Sequence, residues 1–195
     1  MMNSRFLKTL LMIVILLAPL AVVSQSTYRI KSHEITIDGT SNLQSWSAEV
    51  EDASGTFKVK VENRSITEIS DVDLRIDATS IKGSEGRRMD SKIYETLDTK
   101  NHPTITFSLR EINSLAENPG TFRVNASGVL TIAGVSRTIT LNTVGKVLPN
   151  GDLEFSGSQT MKMSDFRMSP PTALLGALRT GDEVTVNYKV VLNAR

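Results

Sequence analysis

Residues 121–147 read TFRVNASGVLTIAGVSRTITLNTVGKV, and the pattern within them decides the fold. One parity carries Phe122, Val124, Ala126, Gly128, Leu130 and Ile132; after a turn around Gly134 it continues as Ile139, Leu141, Thr143, Gly145 and Val147. The other parity carries Thr121, Arg123, Asn125 and Ser127, then Thr138, Thr140 and Asn142. A period of two with one dry and one wet face is the mark of paired antiparallel strands. The dry face holds Ala126, Gly128, Thr143 and Gly145 where a filled sheet would carry Val, Ile or Leu. Small residues on a core-facing stripe either admit another backbone or leave a hollow.

The same alternation recurs outward in both directions. Ile35 and Ile37 begin it, followed by Trp46, Ala48 and Val50, then Phe57, Val59 and Val61. Val72, Leu74, Ile76 and Ala78 come next, then Ile105, Phe107 and Leu109. Beyond the central pair lie Leu153, Phe155, Gly157, Met161 and Met163, and finally Val184, Val186, Tyr188, Val190 and Leu192. Ser54-Gly55, Asn63-Arg64-Ser65, Asn118-Pro119-Gly120 and Pro149-Asn150-Gly151-Asp152 supply turns between them. Short strands at hairpin spacing predict one antiparallel domain, either a sandwich or an up-and-down barrel. Two segments leave the pattern. Met89, Ile93 and Leu97 fall at helical spacing and predict a short helix over 89–98. Pro170-Pro171, an Ala/Leu-rich stretch and Gly181 predict one or two helical turns within 169–181. Both are apolar enough to cap or line something.

The chain opens with Arg5 and Lys8, an apolar run from Leu10 to Leu17, and small residues up to Ser24. That order predicts a cleaved signal peptide over 1–24, a mature domain over 25–195, and a periplasmic or secreted location. The alternative, an uncleaved anchor, wants about 20 apolar residues. Without Arg5 and Lys8 the 22 basic residues fall to 20 against 21 acidic ones, a balance with no pull toward nucleic acid. There is no cysteine, so the core must hold without disulfides. A membrane-spanning barrel, and with it stable membrane insertion, is excluded: aromatics are 5%, and Lys58, Lys60, Asp71, Asp73, Arg75 and Asp77 interrupt any lipid-facing belt.

His33 and His102 are the only histidines and lie far apart, a poor basis for a metal site. No nucleophile elbow, phosphate loop or catalytic carboxylate pair is present, so neither catalysis nor a cofactor is expected.

Ser80-Ile81, Arg88-Met89-Asp90, Tyr94, Leu97 and the string His102-Pro103-Thr104-Ile105-Thr106-Phe107 resemble the middle signature of the YceI-like proteins. Gly128 to Val135, with Ile139 and Leu141, is similar to their second signature. Met163-Ser164-Asp165-Phe166 through Pro170-Pro171 to Gly181-Asp182-Glu183-Val184 looks like the variant with a Pro-Pro insertion. In place of the family's common His-Ser pair after the first Ile-Asp, this chain has Gly39-Thr40. The resemblance implies an eight-stranded antiparallel, lipocalin-like barrel holding an elongated apolar ligand, a polyisoprenoid or other lipid-like amphiphile in some members. It leaves a homodimer open.

An eight-stranded barrel is just wide enough either to be filled by its side chains or to hold one slender ligand. Ala126, Gly128, Thr143, Gly145 and Gly157 are expected to widen the bore and leave it vacant along its axis. Met89, Tyr94, Leu97, Phe107, Met161, Met163, Phe166, Leu174, Leu175 and Leu178 are the candidates for wall and mouth, methionine being adaptable to varied ligand shapes. Arg88, His102 and Asp165 are candidates for a headgroup. Trp46 reads as a buried anchor. Taken singly, each apolar candidate also suits a filled core, and a filled barrel would act as an envelope protein- or glycan-interaction module. Burying a methylene stabilises by about 0.8 kcal/mol, whereas association costs roughly 4–15 kcal/mol, so a long chain can bind where a small metabolite cannot.

Overall fold

The computed structural model describes residues 25–194, apart from the side chains of Ala173 and Leu174. The expected signal peptide lies outside the described residues. The elements are β1 (Ser26–Ser41), β2 (Ser45–Val50), β3 (Ala53–Glu62), β4 (Ser65–Asp77), β5 (Ile81–Gly83), α1 (Arg87–Thr96), β6 (Thr104–Asn118), β7 (Thr121–Ile132), β8 (Val135–Val147), β9 (Leu153–Lys162), β10 (Thr172–Ala173) and β11 (Leu178–Ala194).

Eight of the strands close on themselves in the order β1-β3-β4-β6-β7-β8-β9-β11, every pair antiparallel. The seam between β11 and β1 runs from Tyr28↔Ala194 to Ser41↔Thr180. Closure removes the open edges that an exposed sheet would present. All of this wall lies within residues 26–194, so the barrel is complete without residues 1–24. β1 is long enough to divide one edge between two partners. Ser26–Arg29 pair with β3, and Thr36–Thr40 pair with β2, which in turn carries β5.

The central hairpin forms around the expected turn, pairing Phe122↔Gly145 through Ile132↔Val135, with φ positive at both Ala133 and Gly134. β4 differs from its sequence reading. It begins at Ser65 rather than near Val72, because bulges opposite Lys58/Val59 and Lys60/Val61 shift its phase. Ile66 and Ile69 therefore face inward although they break a simple period of two. Ala78 ends in a 3-10 turn instead of the strand. The 169–181 segment is a small flap, β10 pairing with the start of β11 around a 3-10 turn at Leu174–Gly176, and not a helix of its own.

One end of the barrel is solid. Tyr28, Phe57, Val59, Ile66, Phe122, Val124, Leu153, Phe155 and Leu192 are all buried there, with Val59, Leu153 and Leu192 fully so. The bore is thus not vacant from end to end. Gly145 contributes to the filling: an added Cβ would stand 2.8 Å from Cε1 and 3.1 Å from Cδ1 of Phe155, its direct cross-strand partner. The glycine is there so that the ring can lie against the wall, a device known from designed sheets. Asp152 closes the same end. Its Oδ2 accepts from Lys31 Nζ at 2.7 Å and from Asn150 Nδ2 at 2.9 Å. The Lys31 bond, foremost, holds the Asp152 carboxyl below its ordinary range.

Two outcomes are expected from this packing. Gly145→Ala should destabilise by about 1–3 kcal/mol in urea unfolding through overpacking. Combined with Phe155→Leu, it should cost less than the sum of the single changes, whereas strict additivity would show that the ring and the glycine do not share one space. Asp152 is depressed in the folded state, so its contribution is fully present above the unfolded carboxyl pKa near 3.8 and is lost as pH falls through the lower folded value. Asp152→Asn should therefore flatten the acid limb of the stability profile; an unchanged limb would contradict the assignment.

Candidate functional site

The other half of the barrel is hollow. A cavity of about 1030 Å³ runs inward from the end where the β1–β2 turn, α1 and the β10–β11 flap converge. Its wall is aliphatic: Ile35 and Ile37 from β1, Leu74 and Ile76 from β4, Leu130 and Ile132 from β7, Ile139 and Leu141 from β8, Val184 and Val186 from β11. These are the inward parities of each strand toward one end, which is why alternating sequence produces a continuous apolar lining.

Tyr188 forms the floor. Its hydroxyl lies 2.7 Å from Thr143 Oγ1, so the polar tip is satisfied at the base of an apolar pit. Burial pushes the Tyr188 pKa up, with the Thr143 bond opposing it. Beneath Tyr188 the filled half begins with Phe155 and Val190.

Three rings that border the cavity lie on glycines. Trp46 covers Gly39, its direct partner across the β1–β2 pair; Tyr188 covers Gly157, its direct partner across β9–β11; Phe107 covers Gly128 diagonally across β6–β7. A Cβ at any of these glycines would overlap the ring. With no Cβ in the way, each ring rests on the wall instead of crossing the lumen. The small residues do make room, but through the aromatic side chains that fold onto them.

The mouth is built from Ser41, Leu43 and Gln44 of the β1–β2 turn, the first turns of α1, and Pro171, Thr172, Leu178 and Thr180 of the flap. Asn42 ties turn to flap: its Nδ2 donates to the Ala177 carbonyl at 2.9 Å, and its Oδ1 accepts from the Arg179 N–H at 2.8 Å. Asp90 ties the helix to β5 by accepting from the Gly83 N–H at 2.8 Å. Met89 of that helix fills the space a side chain at Gly83 would take. Asp182 holds the Ser164 backbone N–H at 2.8 Å and its hydroxyl at 2.5 Å, fixing the turn after β9.

Of the residues expected at the site, Met89, Leu97, Phe107, Met161, Met163, Leu178 and Arg88 do line the cavity. Tyr94 does not: its hydroxyl donates to the Thr79 carbonyl at 2.8 Å and meets Lys82 Nζ, anchoring the opposite face of α1. Gly128 and Gly145 lie beneath rings. Phe166 is 2% exposed and buried in the packing around the 3-10 turn Met163–Phe166, away from the cavity surface. Leu175 points into solvent, and the Leu174 side chain lies outside the described residues. His102 rests its ring on Gly134 in the β7–β8 turn, with Nε2 3.9 Å from Asp98 Oδ2, and Asp165 is exposed on its turn; neither reaches the cavity. Trp46 is half-buried and faces the cavity, where a buried anchor was expected.

Sequence reasoning missed most of the aliphatic wall by treating those positions as ordinary strand interior. It also missed Lys92 and Lys162 at the mouth, although Lys92 follows Arg88 by one helical turn. The Arg88 side chain has no hydrogen bond or ion pair among the described residues, whereas Lys92 is paired with Glu95 at 2.7 Å and Glu85 accepts from Gln44. Among the described residues no group of three or more His, Asp or Glu could hold a metal ion, and no helix is long and apolar enough to cross a membrane.

The sequence profile of the YceI-like domain matches residues 24–192, and the chain belongs to that family. No curated protein matches it in sequence. Among solved structures it is similar to a polyisoprenoid binding domain from Saccharophagus degradans implicated in plant cell wall breakdown, at 13% identity, covering 88% of this chain and 100% of that one with a TM-score of 0.68. It is also similar to Burkholderia cenocepacia BcnA, at 20% identity over 82% of this chain and 95% of that chain, TM-score 0.59. A Campylobacter jejuni YceI protein follows at 22% identity over 76% and 84%, TM-score 0.58. These likenesses establish the closed eight-stranded antiparallel barrel.

Trp46 is the sole tryptophan and borders the cavity. Saturating the protein with a long-chain fatty acid should shift or quench its emission, and Trp46→Phe should abolish the signal. Emission unchanged at saturation would separate Trp46 from the binding space.

Proposed function

We propose that this YceI-like protein is an exported carrier that holds one long-chain amphiphile, tail inward and head at the mouth. The observation that carries this reading is a half-barrel cavity of about 1030 Å³ with an aliphatic wall, a single satisfied polar pair at its floor and cations at its rim. That volume stands at the upper end of the range of small-molecule pockets. From Ile35 to Ser41 the wall runs about 20 Å along β1 at about 3.3 Å per residue, or about 15 Å along the axis once strand tilt is allowed for. A chain of about fifteen carbons would gain about 12 kcal/mol by leaving water, enough to offset most estimates of the cost of association. A much longer chain, such as a polyisoprenoid, has to fold back within the cavity or leave its remainder outside, because the filled half blocks passage through the barrel.

Arg88, whose side chain has no internal partner, is placed to meet an anionic or strongly polar head, and Lys162 also borders the cavity. Met89, Leu97, Met161 and Met163 supply adaptable contacts along the tail. The reading is of binding and not of catalysis, and export rests on the leader-like first 24 residues.

Organic extraction of protein purified without detergent, followed by mass spectrometry, should recover a long-chain lipid. Ile139→Trp, which puts an indole into the wall, should weaken displacement of a fluorescent fatty acid by at least about tenfold while the fold is retained. Undiminished binding by this variant, with empty extracts, would refute the carrier reading.

A further inference from the structure

Among the described residues three large hydrophobic side chains are exposed, and two of them, Leu43 at 70% and Leu175 at 109%, stand on the β1–β2 turn and the flap that meet at the cavity mouth. Asn42 binds these two segments together, so the leucines belong to one lip. Leu175 is held at φ 56, ψ 33, beside Gly176 at φ 88. Leucine rarely adopts that left-handed conformation, and here it presents an apolar side chain to water with no packing contact in return. Arg88, Lys92 and Lys162 border the cavity together with Glu85; Lys92 is paired with Glu95 at 2.7 Å and Lys162 lies opposite Glu183 on β11, which leaves Arg88 as the cation of that lining with no carboxylate in contact. Arg179 stands in the flap itself, its Nε donating to the Gly176 carbonyl at 3.1 Å.

Apolar side chains at the tip, with cations around them, match the layering of an anionic lipid surface, where acyl chains lie beneath negative headgroups. We infer that the mouth docks peripherally on anionic membranes, Leu43 and Leu175 entering the interface and the rim cations meeting the headgroups. The cavity then opens directly onto the lipid layer, so a water-insoluble ligand crosses between bilayer and barrel without passing through solvent. The docking rests on the surface residues; the transfer rests on the carrier reading above.

The test is flotation of the chain beginning at Gln25 with unilamellar phosphatidylcholine vesicles, with and without phosphatidylglycerol. Association is expected with the phosphatidylglycerol vesicles, weaker with phosphatidylcholine alone, and falling as salt is raised. Leu175→Gly should lower it about tenfold, the order expected for one leucine side chain that no longer leaves water. Glycine suits the left-handed backbone, so this variant should unfold at the parent temperature or above it, and it should bind a fluorescent fatty acid in vesicle-free solution as the parent does. Flotation of Leu175→Gly equal to the parent, or no flotation of the parent with either vesicle, overturns the proposal. A dimer lost in Leu175→Gly, with no flotation, overturns it in favour of a second copy of the chain. Flotation without fatty-acid binding leaves the docking standing and refutes the carrier reading instead.

Discussion

Aromatic rings laid on glycines of the neighbouring strand determine where this barrel is solid and where it is empty. An eight-stranded barrel has so little interior that a ring crossing the lumen would close it. At the solid end, Phe155 on Gly145 is joined by Phe57, Phe122 and Tyr28, and together they fill the space. At the hollow end, Trp46, Phe107 and Tyr188 rest on Gly39, Gly128 and Gly157 and border the cavity. The same pairing thus serves two purposes, depending on how many rings share a layer. The packed core and the cavity occupy opposite ends of one fold. The disulfide-free core is compact at one end, while the other carries the apolar void whose lining forgoes packing contacts.

The mouth completes the arrangement. Helix α1, the β1–β2 turn and the flap are not needed to close the wall, yet the helix is hydrogen-bonded into place through Asp90, and the turn and flap to each other through Asn42. A cap secured in this way keeps Arg88 and the two exposed leucines in fixed relation to the opening. Ligand head, rim charge and membrane surface would then meet in one plane.

The barrel was legible in the sequence because Phe122 to Ile132 and Ile139 to Val147 each alternate and the turn between them is explicit. β4 was less so: two bulges reset its phase, and Ile66 and Ile69 cannot be assigned by a period of two. The flap was misread as helical because Pro-Pro followed by Ala and Leu carries helix-start chemistry, while the pairing of Thr172 with Arg179 is a tertiary outcome. Of the cavity lining, the helical stripe Met89 and Leu97, the strand residues Phe107 and Met161, and Met163 just beyond β9 were singled out by periodicity. Tyr94 was drawn in by adjacency, although its hydroxyl is committed to Thr79. Gly128 and Gly145 were correctly singled out as unusual, but composition does not tell a hollow from a seat for a ring. His102 and Asp165 were chosen for chemical type, and their placement against Gly134 and on an exposed turn depends on contacts that no local pattern encodes.

The central claim is that a tail enters from the rim and stops at Tyr188. Paramagnetic relaxation in NMR, with a nitroxide at the terminal carbon of a bound fatty acid, addresses it directly. Broadening should be greatest for the amides around Tyr188, Leu141 and Phe107 and absent around Leu153 and Leu192. Strongest broadening at Leu153 and Leu192, or only at the rim near Leu43, would contradict the account.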